Sequence, residues 1–447
     1  MLCKQNNICK QKSDSKDSLS KGVIMNREFL KEVIIDQKEA YLMQSFVVRE
    51  YKLELNVNYC FVGIRRSGKS FLVYQLIHEY LKTGLSQRRI FYVNFEDERL
   101  LECDTSDLNI ILEIAIELAG KEGKPYLFLD EIQNIKGWDK FVRRLADTKY
   151  CVSITGSNSR MISREVASTL GGRYIIKHVY PYNFPTYLTA LCKEDLLAGT
   201  FTARNRAQIS PEYDAYAHYG AFPEILHVTS KRDFLNSIYQ TIYLGDVIAR
   251  NNISNDFAIR LILKKIAETV MTAISFTRLA NILKGAGLAI GKATIIKYID
   301  YIMDAYILFP VYNYAAKLLD KETSPKYYFM DNGLLSLFCP KNEAALLENL
   351  VAIELLRRYG SSNVFFYKKN VELDFYVPDE NLAIQVCYSI LDNFETMERE
   401  TRAFIKMKKL IGNAKLLIIT NSEEKKLTMS GLTINVVPAW KWLASLC

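Results

Sequence analysis

The sequence predicts an α/β fold in residues 25–187, built on a parallel β-sheet with helices on both faces. Short apolar runs alternate there with helical stretches, which is the order that parallel sheets require. Each run is apolar on both of its faces, as expected for a strand that helices cover on both sides. The runs are Tyr59–Val62, Ile90–Phe95, Tyr126–Leu129 and Cys151–Thr155, and Tyr174–Val179 is a candidate fifth strand.

The pattern changes after this sheet. Residues 188–255 are predicted to be helical, and Asp233–Ile248 has apolar residues at helical spacing. Residues 256–325 have the layout of a winged helix, in which three helices precede two strands around a wing. The first helix begins at Phe257, the second covers Phe276–Lys284 and the third covers Lys292–Tyr306. The strand-like segments are Ile307–Tyr312 and Lys326–Phe329.

Residues 326–447 return to an α/β pattern, with a helix over Ala344–Tyr359 and four strands. These strands are Val364–Tyr367, Leu373–Val377, Leu382–Val386 and Lys415–Thr420. Residues 1–24 are polar and show no periodicity, so we expect them to be disordered. Met25 is therefore a candidate for the natural start of the chain.

Composition and charge narrow the class of protein. The chain of 447 residues has a formal net charge of +8, which permits a nucleic-acid partner without arguing for one. Its nine cysteines include no CxxC pair, so we expect reduced thiols rather than zinc sites or disulfides. There is no apolar run of about 20 residues and no signal peptide. We therefore expect a cytoplasmic protein without a membrane span.

The most specific motif, Gly-x4-Gly-Lys-Ser, follows the first strand. Its glycines allow successive backbone N–H groups to point at a phosphate, and the helix that follows adds its positive N-terminal end. The lysine supplies charge to the β- and γ-phosphates, and the serine hydroxyl is a Mg²⁺ ligand. We therefore predict a phosphate-binding loop (P-loop) for ATP and Mg²⁺, formed by Gly63, Ile64, Arg65, Arg66, Ser67, Gly68, Lys69, Ser70 and the following Phe71.

A second motif ends the strand Tyr126–Leu129. A carboxylate at this place in a P-loop fold contributes to the Mg²⁺ site, so Asp130 is predicted to be a metal ligand together with Ser70. The adjacent Glu131 is then placed to polarise the attacking water. The strand Ile90–Phe95 lies between the two motifs in the chain, which is typical of P-loop ATPases that use a catalytic glutamate.

Polar residues at two further places are candidates for the same site. Ser157 and Asn158 follow the strand Cys151–Thr155 and are predicted to contact the γ-phosphate or the attacking water, with a surface turn as the alternative. Arg173 follows two glycines in a later loop. It is predicted to stabilise transition-state charge in its own chain or, as an arginine finger, in a neighbouring subunit. The alternative is a solvated loop arginine.

These motifs resemble those of prokaryotic AAA-type ATPases that carry a C-terminal domain of unknown function. The resemblance covers roughly residues 30–400. Besides the P-loop it includes Leu129–Asn134 with Trp138, Ile154–Ser157 with Gly172 and Arg173, Tyr219–Glu224, Tyr328–Leu334 and Glu348–Ala352. It implies ATP, Mg²⁺, an AAA-like core and a C-terminal restriction-endonuclease-like domain, and it implies no particular substrate.

Nucleases of the restriction-endonuclease type hold Mg²⁺ with carboxylates and position water with a lysine. Glu348 and Asp374 stand at the matching places, but Gln385 and Cys387 replace the next carboxylate and the lysine. A lysine from the preceding strand is the alternative source of a cation. We therefore predict a nuclease-like domain without nuclease activity.

The third helix of the winged-helix layout would enter the DNA major groove if this unit binds DNA. It carries Lys292 and Lys297 but also Asp300 and Asp304. A face that follows the phosphate backbone is expected to be more basic. DNA binding and a scaffold or protein-contact role both stay open.

The predicted fold is thus a P-loop NTPase parallel sheet of AAA-like type, then a helical segment, a winged-helix domain and a small α/β nuclease-like domain. The leading functional hypothesis is Mg²⁺-dependent ATP binding and hydrolysis that switches the arrangement of the C-terminal domains. The client, DNA or a protein, and the oligomeric state stay open. One alternative is an ATP-regulated DNA nuclease. Another is a module that holds nucleotide with little turnover and binds DNA or protein.

Overall fold

A computed structural model of the protein describes residues 25–162, 164–197, 203–317, 323–391 and 394–445. The segment 1–24, predicted to be disordered, lies outside these residues. The described chain forms two β-sheets with helices around and between them. None of the described helices combines the length and the apolar character that a membrane crossing requires.

The first sheet has five strands in the order β2-β3-β4-β1-β5, and all of its neighbouring strands are parallel. The strands are β1 (Tyr59–Val62), β2 (Ile90–Asn94), β3 (Tyr126–Asp130), β4 (Cys151–Gly156) and β5 (Ile175–His178). All five strands predicted from the sequence are present. Strand β4 lies between β1 and β3, and all three are parallel. The P-loop, which follows β1, and Asp130, which ends β3, therefore lie at the same edge of the sheet.

Five helices belong to this first part: α1 (Arg27–Leu42), α2 (Lys69–Lys82), α3 (Thr105–Ala119), α4 (Trp138–Asp147) and α5 (Arg164–Leu170). Alternate strand residues face opposite layers, which explains the apolar runs. Phe61 and Phe128 pack in one buried cluster with Leu72 of α2. Val62 and Leu129 belong to the larger cluster on the other face.

The next segment is helical, as predicted. It contains α6 (Phe184–Ala190), α7 (Ala203–Tyr219) and α8 (Lys231–Thr241), and α8 continues directly into a π-helix over Ile242–Ala249. The predicted helix Asp233–Ile248 is therefore present, but its second half has wider turns. π-helical turns are rare in proteins, and those that occur are often found at functional sites.

Three helices and an antiparallel strand pair follow, which is the winged-helix layout. They are α9 (Asp256–Glu268), α10 (Phe276–Gly285), α11 (Lys292–Asp304), β6 (Leu308–Asn313) and β7 (Lys326–Phe329). Strand β6 also pairs with the C-terminal part of the chain, so the wing strands belong to a larger sheet.

This second sheet has eight strands in the order β12-β13-β11-β10-β9-β8-β6-β7. Its remaining strands are β8 (Phe365–Lys368), β9 (Glu372–Val377), β10 (Leu382–Val386), β11 (Lys415–Thr420), β12 (Lys425–Met429) and β13 (Leu432–Pro438). The helices of this part are α12 (Asn332–Phe338), α13 (Glu343–Tyr359), α14 (Phe394–Ile411) and α15 (Ala439–Ala444). The parallel sheet of a P-loop NTPase is confirmed, and a second, mixed sheet follows it; that this second sheet is a nuclease-like domain stays a prediction.

Candidate functional site

The loop between β1 and α2 packs too closely against β5 for any side chain at its first glycine. A Cβ atom on Gly63 would lie 2.1 Å from the carbonyl oxygen of Val179. Gly68, which caps α2, has a φ of +92°, in the left-handed region that favours glycine. These two positions let the backbone curl at the N-terminus of α2, the arrangement that binds phosphate.

Lys69, the first residue of α2, points into the protein and has only 4% of its side chain exposed. Its Nζ lies 3.2 Å from Oε1 of Glu131 and donates to the carbonyl oxygens of Gly63 and Ile64 at 3.3 and 3.4 Å. The ammonium group therefore lies between the P-loop backbone and the predicted catalytic carboxylate.

Asp130 ends β3 and is buried beside the same loop. The hydroxyls of Tyr92 and Thr155 donate to its two carboxylate oxygens, and the Ser70 side chain is hydrogen-bonded to it as well. Burial and the neighbouring carboxylate of Glu131 raise the pKa of Asp130 above its usual value. The structure thus brings together Ser70 and Asp130, the two predicted Mg²⁺ ligands.

Glu131 follows with a left-handed backbone, φ +51°, which turns its side chain toward Lys69. Its own N–H donates to Oγ1 of Thr155 at 2.9 Å, and its carboxylate accepts from the Gln133 amide and, at 3.2 Å, from the Ser157 N–H. Burial alone would raise the pKa of Glu131, but Lys69, the hydrogen bond from Gln133 and the charge of Arg65 outweigh burial and lower it. The group is therefore held as a carboxylate.

Ser157 and Asn158 at the end of β4 are both buried beside Glu131. Within the described residues, the hydroxyl oxygens of Ser157 and of Ser67 in the P-loop are fully buried and have no hydrogen-bond partner. Buried hydroxyls are normally satisfied. One of these hydroxyls lies in the P-loop and the other at the end of β4, and together with Ser70 and Asp130 they fit a nucleotide with a divalent cation.

The two arginines of the P-loop each form an ion pair with the helical segment. Arg65 forms ion pairs with Glu96 at 2.7 Å and with Asp246 of the π-helix at 3.2 Å. Arg66 forms an ion pair with Glu224. Sequence reasoning missed Asp246, although an aspartate inside the apolar run Ile242–Ala249 is an unusual feature that marks a buried polar contact.

A cavity of about 380 Å³ opens next to the P-loop. Apolar and aromatic side chains form much of its wall, and they come from α2, from the segment before β1 and from the helical segment. Among the residues that line it are Phe46, Val47, Gly68, Phe71, Pro223 and His227. Phe71, predicted to belong to the nucleotide site, is therefore a wall of this cavity.

Arg173 is not brought to this site. It precedes β5, and its carbonyl oxygen accepts from the side chain of Asn58, which precedes β1, so it lies at the opposite edge of the sheet from the P-loop. Its guanidinium pairs with Asp147. This position gives no support to the predicted role in the active site of its own chain. The role toward a neighbouring subunit stays a prediction.

The predicted residues of the C-terminal part do converge. Glu348 on α13, Asp374 on β9 and Gln385 on β10 line one cavity of about 540 Å³. Cys387 lies beyond the end of β10, and its thiol contacts the carbonyl oxygen of Ser389 at 2.9 Å. The lysine that enters this cluster, Lys326 on β7, was not predicted.

Comparison with known proteins gives two matched regions. Residues 57–188 match an AAA domain, and residues 210–344 match a domain of unknown function, DUF8612. Among solved structures, the chain is similar to the Walker-type ATPase PABY2304 of Pyrococcus abyssi, with 11% identity and a TM-score of 0.38 over 73% of this chain and 99% of that one. It is also similar to Cdc6p from Pyrobaculum aerophilum, with 14% identity and a TM-score of 0.24 over 75% and 97% of the two chains.

Two relatives align along most of their length. Uncharacterized protein MJ1544 of Methanocaldococcus jannaschii is 33% identical over 436 residues, which are 94% of this chain and 96% of the relative. An uncharacterized protein of Haemophilus influenzae is 30% identical over 388 residues, which are 85% and 92% of the two chains. The chain therefore belongs to the family of these two relatives, and the match of residues 57–188 to an AAA domain supports a P-loop NTPase core.

Proposed function

We propose that this protein binds ATP with Mg²⁺, hydrolyses it, and uses the nucleotide state to change the arrangement of its C-terminal domains. The observation that carries the proposal is the buried cluster of Lys69, Asp130 and Glu131 at one edge of the parallel sheet. Ligands of open α/β sheets bind at this carboxyl edge.

Each residue of the cluster has a distinct task in this proposal. The P-loop N–H groups and Lys69 bind the β- and γ-phosphates. Ser70 and Asp130 hold Mg²⁺, which neutralises phosphate charge, and Tyr92 and Thr155 keep the Asp130 carboxylate in position. The hydroxyls of Ser67 and Ser157, together with the Asn158 amide, are polar groups for the remaining phosphate oxygens or the attacking water.

Glu131 is the proposed general base. A phosphate bound at Lys69 competes with Glu131 for the ammonium group 3.2 Å away, and this frees the carboxylate to accept a proton from water. Removal of a positioned general base typically costs about 10²- to 10⁴-fold in rate. The backbone of Glu131 is fixed by Thr155, so the side chain starts from a defined position.

The cavity lined by Phe46, Phe71 and Pro223 is the proposed site of the adenine ring. Nucleoside bases have apolar faces, and ligand pockets are mostly apolar with few polar groups. This cavity touches Gly68 of the P-loop, so a nucleotide whose phosphates lie on the loop reaches it without a gap.

Substitution of Glu131 tests the proposal. We expect Glu131→Gln to bind ATP as the wild type does, measured by calorimetry. Its rate of phosphate release from ATP should fall by about 10²-fold or more, because the amide cannot accept the proton. Glu98→Gln, on an exposed glutamate near the end of β2, is the matched control and is expected to leave both measurements unchanged. ATP hydrolysis at the wild-type rate in Glu131→Gln would contradict the assignment of the base.

Contacts between the core and the later domains support the proposed switch. Besides the P-loop ion pairs with Glu224 and Asp246, the Ser159 hydroxyl donates to Asp304 at the end of α11 at 2.6 Å. Ser159 directly follows Ser157 and Asn158. A displacement of these two residues by the γ-phosphate would therefore also move the partner of α11, the third helix of the winged-helix layout. The proposed client is DNA or a protein that contacts the winged-helix and C-terminal domains.

A further inference from the structure

A lysine lies at the centre of the C-terminal carboxylate cluster. The Nζ of Lys326 is 3.3 Å from Glu348, 3.3 Å from Glu372 and 3.6 Å from Asp374. The Lys326 side chain is 0% exposed, although the three carboxylates border an open cavity. Lysines are almost never fully buried unless they are paired. The three contacts therefore indicate a built ion cluster rather than a chance approach.

The surrounding groups hold this lysine in place. Strand β7 is buried at all four positions, and the ammonium of Lys326 also lies over the ring of Phe366 at 5.5 Å. The carboxylate oxygens have further partners: the Tyr328 hydroxyl donates to Glu348 at 2.7 Å and the Val386 N–H donates to Asp374 at 2.9 Å. Buried ion clusters are stable only when such additional hydrogen bonds are made.

The neighbouring amide of Gln385 links this cluster to a further ion pair. Gln385 accepts from the Asp374 N–H at 2.7 Å and donates to Glu400 of α14 at 2.9 Å. Glu400 is in turn paired with Arg399, and Glu372 is paired with Lys368 at 2.7 Å. Lys368, at the end of the preceding strand β8, therefore reaches only Glu372 at the exposed rim of the cluster.

The resemblance to restriction-endonuclease-like domains implies a divalent cation between Glu348 and Asp374. The residues present do not fit one, because hard divalent cations require several oxygen ligands at about 2.0–2.6 Å, and the Lys326 ammonium lies among the carboxylate oxygens that would have to supply them. We propose that the Lys326 ammonium is the permanent cation of this cluster, in the place that a divalent metal would take. The C-terminal domain is then a metal-independent structural or binding unit.

The protonation states agree with this geometry. Burial would lower the pKa of Lys326, but Glu348, Asp374 and Glu372 outweigh burial and raise it, so the ammonium stays charged. Burial raises the pKa of Glu348 to about 7 in spite of Lys326. Glu348 is therefore partly protonated near neutral pH, and Lys326 offsets part of the negative charge of Glu372 and Asp374. Little negative charge is left in the cluster to bind a second cation.

Mn²⁺ binding to the full chain without nucleotide tests the proposal. The proteins compared by electron paramagnetic resonance are the wild type, Asp374→Asn, Lys326→Met, Lys326→Met with Asp374→Asn, and Lys368→Met. We expect the wild type, Asp374→Asn and Lys368→Met to bind Mn²⁺ alike. Lys326→Met is expected to gain one Mn²⁺ per chain with at least about tenfold higher affinity, because affinity rises with the number of anionic ligands. The added Asp374→Asn change should remove this gain.

Lys326→Met leaves three carboxylates without their buried cation and is therefore expected to unfold at lower temperature. An increase of its melting temperature with Mn²⁺, absent with Asp374→Asn, is the second measurement. If the wild type binds Mn²⁺ and Asp374→Asn removes this binding, the proposal is overturned. This comparison does not depend on whether a Lys326 variant folds. A folded Lys326→Met protein that gains no Mn²⁺ would overturn it as well. Neither outcome depends on ATP binding, so the proposed ATPase activity is tested separately.

Discussion

At the scale of single residues, the proposed nucleotide site depends on one buried ion pair. Lys69 and Glu131 are each less than a tenth exposed, and each is the nearest opposite charge of the other. Removal of one member of a buried pair typically costs about 3–5 kcal/mol, because the other charge is left uncompensated. A substitution at Lys69 therefore changes folding stability as well as nucleotide binding.

We expect Lys69→Ala to abolish ATP binding in calorimetry, because the phosphates lose the fixed charge of the loop. The same variant should unfold at a lower temperature than the wild type, because Glu131 stays buried without its partner. Lys69→Ala combined with Glu131→Gln removes both charges and should recover part of the stability but none of the binding. Unchanged ATP affinity in Lys69→Ala would contradict the assignment of the P-loop.

At the scale of the elements, parallel strands sort residues between the two edges of the sheet. The P-loop, Asp130, Glu131 and Ser157 follow the carboxyl ends of β1, β3 and β4, so they meet. Arg173 precedes β5 and lies at the amino edge, where it lines a cavity with Arg89, Lys124 and Lys149. Only a second subunit could bring this cationic edge to a nucleotide.

Mixing of variant subunits tests that role. Arg173→Ala and Lys69→Ala are each expected to lower ATP hydrolysis if Arg173 acts on a neighbouring subunit. A mixture of the two should then recover part of the activity, because some interfaces combine an intact P-loop with an intact Arg173. No recovery at any mixing ratio would contradict an arginine finger, and Lys149→Ala, from the same cavity, is the matched control.

The elements of the first sheet were predictable because each strand is a local apolar run and each motif follows its strand directly. The π-helix was not, since the spacing of apolar residues in Ile242–Ala249 is equally compatible with an α-helix. The extension of the wing strands into the second sheet was not either, because pairing of β6 with β8 joins residues about fifty positions apart. Lys326 was missed because sequence patterns place lysines on surfaces.

At the scale of the whole molecule, two arginines link the P-loop to the C-terminal part. Arg49 donates to the carbonyl oxygen of Ser67 at 2.9 Å and to that of Tyr180. Arg357 of α13 donates to the next carbonyl oxygen, that of Pro181, at 3.2 Å. One short backbone segment is therefore linked through Arg49 to the P-loop and through Arg357 to α13, so the domains are not independent units.

We predict that the purified protein with Mg²⁺ or Mn²⁺ does not cut DNA, with or without ATP. Cleavage requires a divalent ion held by carboxylates and a cation beside the attacking water. Gln385 is neutral, Cys387 carries no fixed positive charge, and the Lys326 ammonium lies between Glu348 and Asp374, in the place that the divalent ion would need. Plasmid nicking assays test this, and nicking by the wild type that Asp374→Ala removes would show an active nuclease.

The contact between Ser159 and Asp304 gives the sharpest test of the proposed switch. Ser159 follows the residues proposed to sense the γ-phosphate, and Asp304 ends α11, so the 2.6 Å hydrogen bond joins the two functions directly. We expect ATP to change hydrogen exchange in α11 of a Glu131→Gln protein, which holds ATP without turnover. Asp304→Ala should remove this response and change ATP affinity by less than about threefold, because a single hydrogen bond contributes roughly 0.5–1.5 kcal/mol and this one lies outside the phosphate site.

Asp300→Ala is the matched control, because Asp300 is an exposed aspartate one turn earlier on the same helix. It should leave the ATP response of α11 intact. If the Asp304→Ala protein responds to ATP as its parent does, the switch does not pass through this contact. The ion pairs of Arg65 with Asp246 and of Arg66 with Glu224 then become the next connections to test, since they join the P-loop to the helical segment without involving α11.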